Sequence, residues 1–165
     1  MTEALSHIAL RRLSGHEASE WYTPFPSVSV SLSADGCLVI DAPEVNDSQL
    51  VTTDLAELRP DGRFRILGRK DNVICSGGIK IQIEEVERLL APHLSSPFVI
   101  TRRSDQKFGE AVVLLTEGDT HEAQAVCQRV LPKYWQPRTY IHVARIPLTA
   151  TGKPARKEAE QMAAV

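Results

Sequence analysis

The stretch that most constrains the fold spans residues 68–87 and reads GRKDNVICSGGIKIQIEEVE. Two adjacent glycines, Gly77 and Gly78, separate two short runs rich in β-branched residues, which is typical of a chain that reverses between strands. After the second run, Ile83 and Val86 share a helical face beside several glutamates, so we expect a helix to begin here. The stretch is either a fixed strand–turn–strand corner or a joint that moves, and its own residues do not decide between them.

The rest of the chain predicts an α+β fold with a change of character near Gly68. Before that residue, period-two alternation and Asp-Gly turns predict hairpins, so that residues 1–67 are mostly β. After it, strands alternate with apolar stripes at helical spacing, which indicates a compact α+β module. The predicted strands are 27–33, 37–40, 51–55, 63–67, 72–76, 79–83, 97–103, 111–117 and 139–146. The predicted helices begin at Ile83, at Thr120 as the cap, and at Lys157.

Composition excludes several classes of protein. The 165 residues carry a net charge of −2, which gives no electrostatic case for nucleic acid. No apolar run approaches the roughly 20 residues that span a bilayer, and the first ten residues lack the basic start of a signal peptide. The three cysteines, Cys37, Cys75 and Cys127, show neither a disulfide framework nor zinc-ligand spacing. We therefore expect a reduced, cytoplasmic protein without a membrane span.

A lysine on a loop of small residues is the first candidate for chemistry. Residues 148–157 read LTATGKPARK, and the Gly152-Lys153 pair suggests a phosphate-binding P-loop. That motif fails here, because Pro147 and Pro154 occupy the positions of its first glycine and its Ser/Thr. Lys153 is then either a solvated surface lysine or a cation that a mobile loop presents to a carboxylate or phosphate.

Other charged residues have ordinary explanations when taken singly. The acidic cluster Glu84, Glu85 and Glu87 suits the start of a helix, since carboxylates complement the helix dipole there. Arg102-Arg103 is read as a solvated strand end, with a basic spot for a phosphorylated ligand as the alternative. Asp54 alone is weak evidence and gains weight only from its neighbours in the chain order.

Several groups of residues follow one another in a fixed order that resembles known motifs. They are Met1-Thr2-Glu3 with the end of YGxTE, residues 36–40 with GELxIxG, Thr53-Asp54-Leu55 with TGDL, residues 68–87 with GRxDxxI…GxxIxxxEIE, and residues 146–153 with LPxTxxGK. This ordered set resembles the C-terminal part of adenylate-forming enzymes, the superfamily of acyl-CoA synthetases, peptide-synthetase adenylation domains and luciferases. Ala4 and Thr53 depart from the pattern, which has threonine and glycine there in many members.

The resemblance implies a reaction and a fold. Such enzymes use ATP and Mg²⁺ to convert a small carboxylic acid to an acyl-adenylate, and then pass the acyl group to a thiol such as that of CoA. Residues 1–67 would be the remnant of the large N-terminal AMP-binding domain, a partial β-barrel-like subdomain. Residues 68–165 would be the small, mobile α+β C-terminal lid domain, with a hinge at 68–71. An exposed apolar face on the remnant would favour homo-oligomers.

The resemblance also implies a role for each matching residue. Lys153 would be catalytic, stabilising charge on the carboxylate and α-phosphate oxygens. The other implied sites are nucleotide contacts at Thr2, Asp54 and Arg69, a Mg²⁺ ligand at Glu3, the hinge at Asp71, and a channel for the pantetheine arm of CoA at Ser76, Gly77 and Gly78. The phosphate loop and acid pocket of the missing N-terminal domain have no counterpart here. We therefore expect a fragment that is inactive as an isolated chain.

The acceptor and the acid are narrower questions. Ser76-Gly77-Gly78 resembles the SGG of acyl-CoA synthetases more than the KxRG of peptide-synthetase adenylation domains, and no carrier-protein segment follows Lys153, which favours free CoA. The runs NVICSGGIKIQIEEVE and MTEALSHIALRR are most similar to the o-succinylbenzoate–CoA ligases of menaquinone synthesis. A fatty-acid or aryl acid–CoA ligase fragment is the alternative within the class. A stand-alone nucleotide- or CoA-binding or regulatory module without catalysis is the alternative outside it.

Overall fold

Residues 7–164 are described by a computed structural model, and they divide between two units. The first unit ends at Asp71 and the second begins at Asn72, so the division falls at the end of the segment 68–71. Each unit has its own apolar core.

The first unit is built from antiparallel strands. Its four-stranded sheet runs in the order β3–β4–β5–β6, and β1 and β2 form a separate two-stranded ladder. The strands are β1 (Ala9–Leu10), β2 (Thr23–Pro24), β3 (Ser29–Leu32), β4 (Cys37–Asp41), β5 (Leu50–Leu58) and β6 (Phe64–Arg69). The core gathers around Leu38, Ile40 and Phe64, and the ring of Tyr22 stacks on that of Phe64 at 5.4 Å. The structure therefore confirms the predicted β character of this region.

The second unit is a five-stranded mixed sheet between helices. The strands are β7 (Val73–Ser76), β8 (Ile79–Gln82), β9 (Phe98–Asp105), β10 (Gly109–Thr116) and β11 (Thr139–His142). The sheet order is β11–β10–β7–β8, with β9 on the other edge of β10, and only the β10–β11 pair is parallel among the described strands. The helices are α1 (Ile83–Leu90), α2 (Thr120–Val130) and α3 (Arg156–Ala163).

Strand β10 shows how this unit is layered. Its residues 111–116 are all buried, which is the pattern of a strand covered on both faces. Val112 and Leu114 pack with the apolar faces of α1 and α2, whereas Val113 and Leu115 pack with Ala159 and other residues of α3. The mixed α+β fold expected from the sequence is therefore confirmed.

Some boundaries differ from those that the sequence predicted. The cap of α2 is Asp119 rather than Thr120, because the Asp119 carboxylate accepts the N–H groups of His121 and Glu122. Strand β11 ends at His142 and not at Ile146. Within residues 7–164, we find no helix that is both long enough and apolar enough to cross a membrane.

Candidate functional site

The predicted site residues fall on both units, and two of them lie outside the described range. Thr2 and Glu3, the predicted phosphate contact and Mg²⁺ ligand, precede residue 7. Asp54, Arg69 and Asp71 belong to the first unit. The Ser76–Gly78 turn and Lys153 belong to the second unit and are described separately below.

Asp54 and Arg69 are brought together by strand pairing. They are direct partners in the antiparallel ladder between β5 and β6, although they stand far apart in sequence. Directly opposed residues share one face of a sheet at close range, so both side chains can reach a single ligand. The guanidinium of Arg69 also donates to the hydroxyl oxygen of Thr53 at 2.6 Å. Thr53, which replaces the usual glycine, therefore orients the arginine.

The segment 68–71 ends in a single turn of 3₁₀-helix, Lys70–Asn72. The predicted hinge, Asp71, is exposed there and lies 3.6 Å from a guanidinium nitrogen of Arg69. The Nζ of Lys70 donates to the carboxylate of Asp35 at 2.6 Å, and this bond raises the pKa of the lysine. These contacts are on the surface, where ion pairs are weak.

The residues that follow the predicted hinge are bonded to other elements of the second unit. The amide of Asn72 donates to the carboxylate of Glu84 on α1. The carbonyl of Val73 accepts from the guanidinium of Arg102 at 3.1 Å, and the N–H of Cys75 donates to the Glu110 carboxylate at 2.6 Å. The start of the second unit is thus bonded to α1, β9 and β10 of the same unit.

Gly77 and Gly78 form the two-residue turn between β7 and β8. Both have positive φ, at 58° and 83°, and Ser76 pairs with Ile79 across the turn. A two-residue hairpin of this kind needs left-handed backbone at both positions, which glycine adopts without strain. A Cβ on Gly77 would also lie 3.0 Å from the ring of Phe108. The glycines are therefore explained by the turn itself, and the turn presents bare backbone to whatever lies beside it.

A cavity of about 480 Å³ opens beside this turn. Its walls include Ser76 and Gly77, the ring of Phe108, and the segment 133–138 that leads into β11. Cationic side chains come from Lys133 and Arg138, and the Arg138 guanidinium lies 3.8 Å from the centre of the Phe108 ring. A cavity that combines bare backbone, aromatic rings and cations suits an elongated anionic ligand.

Two neighbouring aromatic residues of the segment 133–138 have different surroundings. Tyr134 is 69% exposed on the wall of the cavity, whereas Trp135 packs against the core of the unit. The loop that carries Phe108 is ordered by Asp105, whose carboxylate accepts the N–H groups of Phe108 and Lys107. These two bonds lower the pKa of Asp105.

Lys153 lies at the tip of a tight loop between β11 and α3. The N–H of Thr149 donates to the carbonyl of Lys153 at 2.7 Å, and the N–H of Lys153 donates to the Thr149 hydroxyl at 3.2 Å. Leu148 and Pro154 form an isolated bridge below them. Lys153 is exposed, and no carboxylate among residues 7–164 pairs with its ammonium group. The loop thus displays one cation with no competing partner.

The exit of this loop is anchored by a residue that sequence reasoning missed. Arg156, the first residue of α3, forms two parallel bonds with the carboxylate of Glu87, at 2.6 and 2.7 Å. Burial acts to lower the pKa of Arg156, but the bond to Glu87 and its charge outweigh burial, so that the pKa is raised. Glu87 was interpreted as part of a helix start. Its partner lies 69 residues away, and no local pattern could reveal it.

The described residues contain no cluster of histidine, cysteine, aspartate or glutamate that could hold a metal ion. Glu84, Glu85 and Glu87 point to different partners instead: Glu84 binds Asn72 and Gln82, Glu85 lies near Arg88, and Glu87 binds Arg156.

Comparison with known proteins identifies relatives that are similar in sequence. No protein-family model matches the chain. A linear gramicidin synthase of Brevibacillus parabrevis is 35% identical over 113 residues, which are 64% of this chain and 2% of that protein. The 2-methylpropanoate–CoA ligase CCL4 of Humulus lupulus is 34% identical over 116 residues, 65% of this chain and 21% of that protein. The chain therefore spans a small part of the curated relatives that it matches.

Solved structures match over nearly the whole chain. An AMP-forming acyl-CoA synthetase/AMP-acid ligase II-like protein from Dyadobacter fermentans is 28% identical, with a TM-score of 0.52 over 98% of this chain and 49% of that one. The o-succinylbenzoate coenzyme A synthetase of Bacillus subtilis, solved with ATP and magnesium, has a TM-score of 0.78 and 23% identity over 96% of this chain and 39% of that one. The chain is thus similar to adenylate-forming enzymes over a part of their length.

Proposed function

We propose that this chain supplies the C-terminal part of an ATP-dependent acid–CoA ligase that works in the cytoplasm. The observation that carries the proposal is the Lys153 loop, which holds an exposed ammonium group on a short, internally bonded turn. A fixed cation of this kind can stabilise the charge that develops when a carboxylate attacks the α-phosphorus of ATP. In that step an acyl O–P bond forms, the bond to pyrophosphate breaks, and an acyl-adenylate results.

The other predicted residues take matching roles in this proposal. Asp54 and Arg69, opposed on β5 and β6, would hold the ribose hydroxyls. Thr2 would contact the phosphates, and Glu3 would hold the Mg²⁺ that neutralises phosphate charge. Asp71 would be the hinge that removes Lys153 after adenylation and brings the Ser76–Gly78 turn to the site.

The second half-reaction takes place beside that turn. The thiolate of CoA attacks the acyl carbon of the adenylate, a C–S bond forms, and AMP leaves. The cavity next to Gly77 supports CoA as the acceptor, because Lys133 and Arg138 bring positive charge to walls that also include the bare backbone of Gly77. Phosphate groups at the far end of the pantetheine arm would meet those two cations.

The test is a fusion of this chain to the part of the Bacillus subtilis o-succinylbenzoate coenzyme A synthetase that the chain does not span. Acid-dependent ATP–pyrophosphate exchange reports adenylation, and thioester formation from supplied acyl-adenylate reports the second step. We expect Lys153→Ala to slow exchange by about 10²–10³-fold and to spare thioester formation. The matched control is Lys157→Ala, which removes an exposed lysine four positions along. Equal rates for the two variants would overturn the proposal.

A carrier protein instead of CoA is the second candidate for the acceptor. It is favoured by relatives such as the linear gramicidin synthase of Brevibacillus parabrevis. Supplying CoA or a pantetheine-bearing carrier protein to the same fusion separates the two. A preference for CoA that is lost in a Lys133→Ala/Arg138→Ala double variant would support our proposal, whereas preference for the carrier would replace it.

The acid is proposed to be o-succinylbenzoate, as in menaquinone synthesis, with a fatty or aryl acid as the alternative. Sequence similarity in the stretch around Gly77 supports it, together with the fold shared with the Bacillus subtilis enzyme. If the coding sequence continues in frame before Met1, the longer protein can be assayed with o-succinylbenzoate, a medium-chain fatty acid and benzoate. Exchange stimulated only by a fatty or aryl acid would contradict this choice. CoA binding without exchange for any acid would favour a non-catalytic module.

A further inference from the structure

The loop that displays Lys153 is rigid within itself but has few ties to the rest of the unit. Its bonds join Thr149 to Lys153 and Pro147 to Ala155, and thus lie within the segment 147–155. A hairpin that is closed on itself can tilt as a whole if its base is loose. The position of the lysine ammonium is therefore set at the two ends of the loop: at the entry, where the N–H of the buried Ile146 donates to the Glu117 carboxylate at 2.7 Å, and at the exit, at the start of α3.

That exit is held by a fork, which is the pair of parallel hydrogen bonds from the Arg156 guanidinium to the Glu87 carboxylate. Both residues also bind the backbone of Ile100 on β9: Glu87 accepts its N–H at 2.9 Å, and Arg156 donates to its carbonyl at 3.1 Å. The side chains are only 24% and 20% exposed. Paired charges that are mostly shielded from water and also bind the same backbone residue hold a defined geometry more firmly than surface pairs do.

Little else fixes the first turn of α3. The residues of this helix that face the sheet are small, with Ala159 and Ala163 fully buried. The ion pair of Glu160 with Arg102, at 2.8 Å, lies one turn further along. Helix α3 has no side-chain cap at its first residue either. The orientation of the exit side of the loop relative to the sheet thus depends on Arg156.

We infer that Arg156, held by Glu87, is a positioning residue for Lys153 in the adenylation half-reaction. This inference rests on the proposed function of Lys153. A misplacement of about 1 Å at a reacting group can lower a rate by about 10²-fold. Loss of the fork should therefore impair the step that uses Lys153 and spare the step that does not.

The first measurement uses the chain itself and needs no substrate. Backbone ¹⁵N relaxation gives order parameters for Gly152 and Lys153 in the wild type, in Arg156→Gln and in Glu87→Gln. We expect these values to fall from about 0.85 to below about 0.6 in both variants, while those of Val113 and Leu115 stay unchanged. Arg88→Gln, which removes an exposed residue of α1, is the control and should change neither set. Unchanged loop values, or an equal fall in the sheet, would overturn the inference.

The second measurement uses the fusion with the Bacillus subtilis enzyme. Arg156→Gln should lower kcat for ATP–pyrophosphate exchange by about 10–100-fold, with a change in the KM for ATP of less than about threefold and no effect on thioester formation. Arg156→Lys, which keeps the charge but loses the fork, should recover part of the rate. Normal exchange in Arg156→Gln, or an equal loss in both half-reactions, would show a merely structural role. If Lys153→Ala is itself without effect, the proposed function fails, and this result is read independently of any Arg156 variant.

Discussion

The two units of the molecule bury their apolar residues to different degrees. In the unit that ends at Asp71, no α-helix lies among the described residues, and Leu10, Leu13 and Val51 are 57%, 76% and 63% exposed. In the unit that begins at Asn72, the exposed large apolar side chains are Tyr134 and Leu148. The first of these lines the cavity and the second lies on the Lys153 loop.

This difference shows which apolar contacts stabilise each unit. The second unit covers both faces of β10 with its own helices, so its core is complete within the chain. The first unit has a small core on one sheet and leaves apolar area in contact with water. Exposed apolar side chains that adjoin one another can form a surface for other polypeptide. We propose that homo-oligomers of the chain would form through them.

The largest expected effect comes from opening one core and observing the other. Leu114→Ala should lower the free energy of unfolding of the second unit by about 2–5 kcal/mol, since this side chain is fully buried. Trp135 reports that unit in urea titrations, and Trp21 reports the first. With one tryptophan at a time replaced by phenylalanine, only the Trp135 transition should move.

The matched variant is Leu38→Ala, which opens the core of the first unit in the same way. It should move only the Trp21 transition. A joint shift of both transitions in either variant would show that the units unfold as one, and the comparison between them would fail.

The next effect compares two arginine–glutamate pairs of different burial. Arg156→Gln should lower the free energy of unfolding of the second unit by about 2 kcal/mol, because it leaves the shielded carboxylate of Glu87 without its partner. Arg65→Gln removes a bond of 2.7 Å to Glu57 in the first unit. That pair is more exposed to water, so the expected loss is below about 1 kcal/mol. Equal losses in urea titration would show that burial does not separate the two pairs.

A third change tests the exposed apolar surface of the first unit. Val51→Thr should leave the free energy of unfolding within about 0.5 kcal/mol of the wild-type value, since the side chain is on the surface. It should also shift the sedimentation profile towards smaller species at high concentration. Leu148→Thr in the second unit is the control and should leave the profile unchanged. Identical profiles for Val51→Thr and the wild type would mean that Val51 takes no part in association.

The smallest effect concerns acid. The backbone bonds of Glu122 and His121 lower the pKa of Asp119 at the start of α2. A carboxylate with a lowered pKa in the folded state stabilises the fold above its unfolded pKa, about 3.9, and this stability is lost as the pH falls through the folded value. Asp119→Asn keeps the acceptor but does not titrate. It should therefore reduce the loss of Trp135-reported stability below about pH 4, whereas Asp61→Asn should affect only Trp21. No difference from the wild type would rule out this contribution.

Local patterns were sufficient for most of the fold. Alternation and Asp-Gly turns identify the strands of the first unit, and Gly77-Gly78 identifies the hairpin of β7 and β8, because these signals arise from the backbone of adjacent residues. The cap of α2 was misplaced by one residue because threonine and aspartate both serve as caps. Strand β11 was predicted too long, since Val143 and Ile146 are buried without being part of the strand.

The site was predictable where a motif carried it and not where tertiary contacts did. Lys153 and Asp54 stand in recognisable motifs, and their roles remain predictions. Arg156 lies outside the recognised motifs, and its partner Glu87 is on another helix. The same holds for Arg102, which was interpreted as a solvated strand end but binds Glu160 and the carbonyl of Val73. Ion pairs that form only after the sheet has assembled cannot be recognised from the local spacing of residues in the sequence.

The contacts of Ile100 have a consequence for the behaviour of the chain in concentrated solution. Strand β9 pairs with β10 alone among the described strands, so its other side is an open edge of the sheet. Open edges recruit strands from other molecules and lead to aggregation. Glu87 and Arg156 occupy the N–H and the carbonyl of Ile100 in the middle of that edge, and they place two charges in front of it. The pair therefore also acts as a gatekeeper against intermolecular β-pairing.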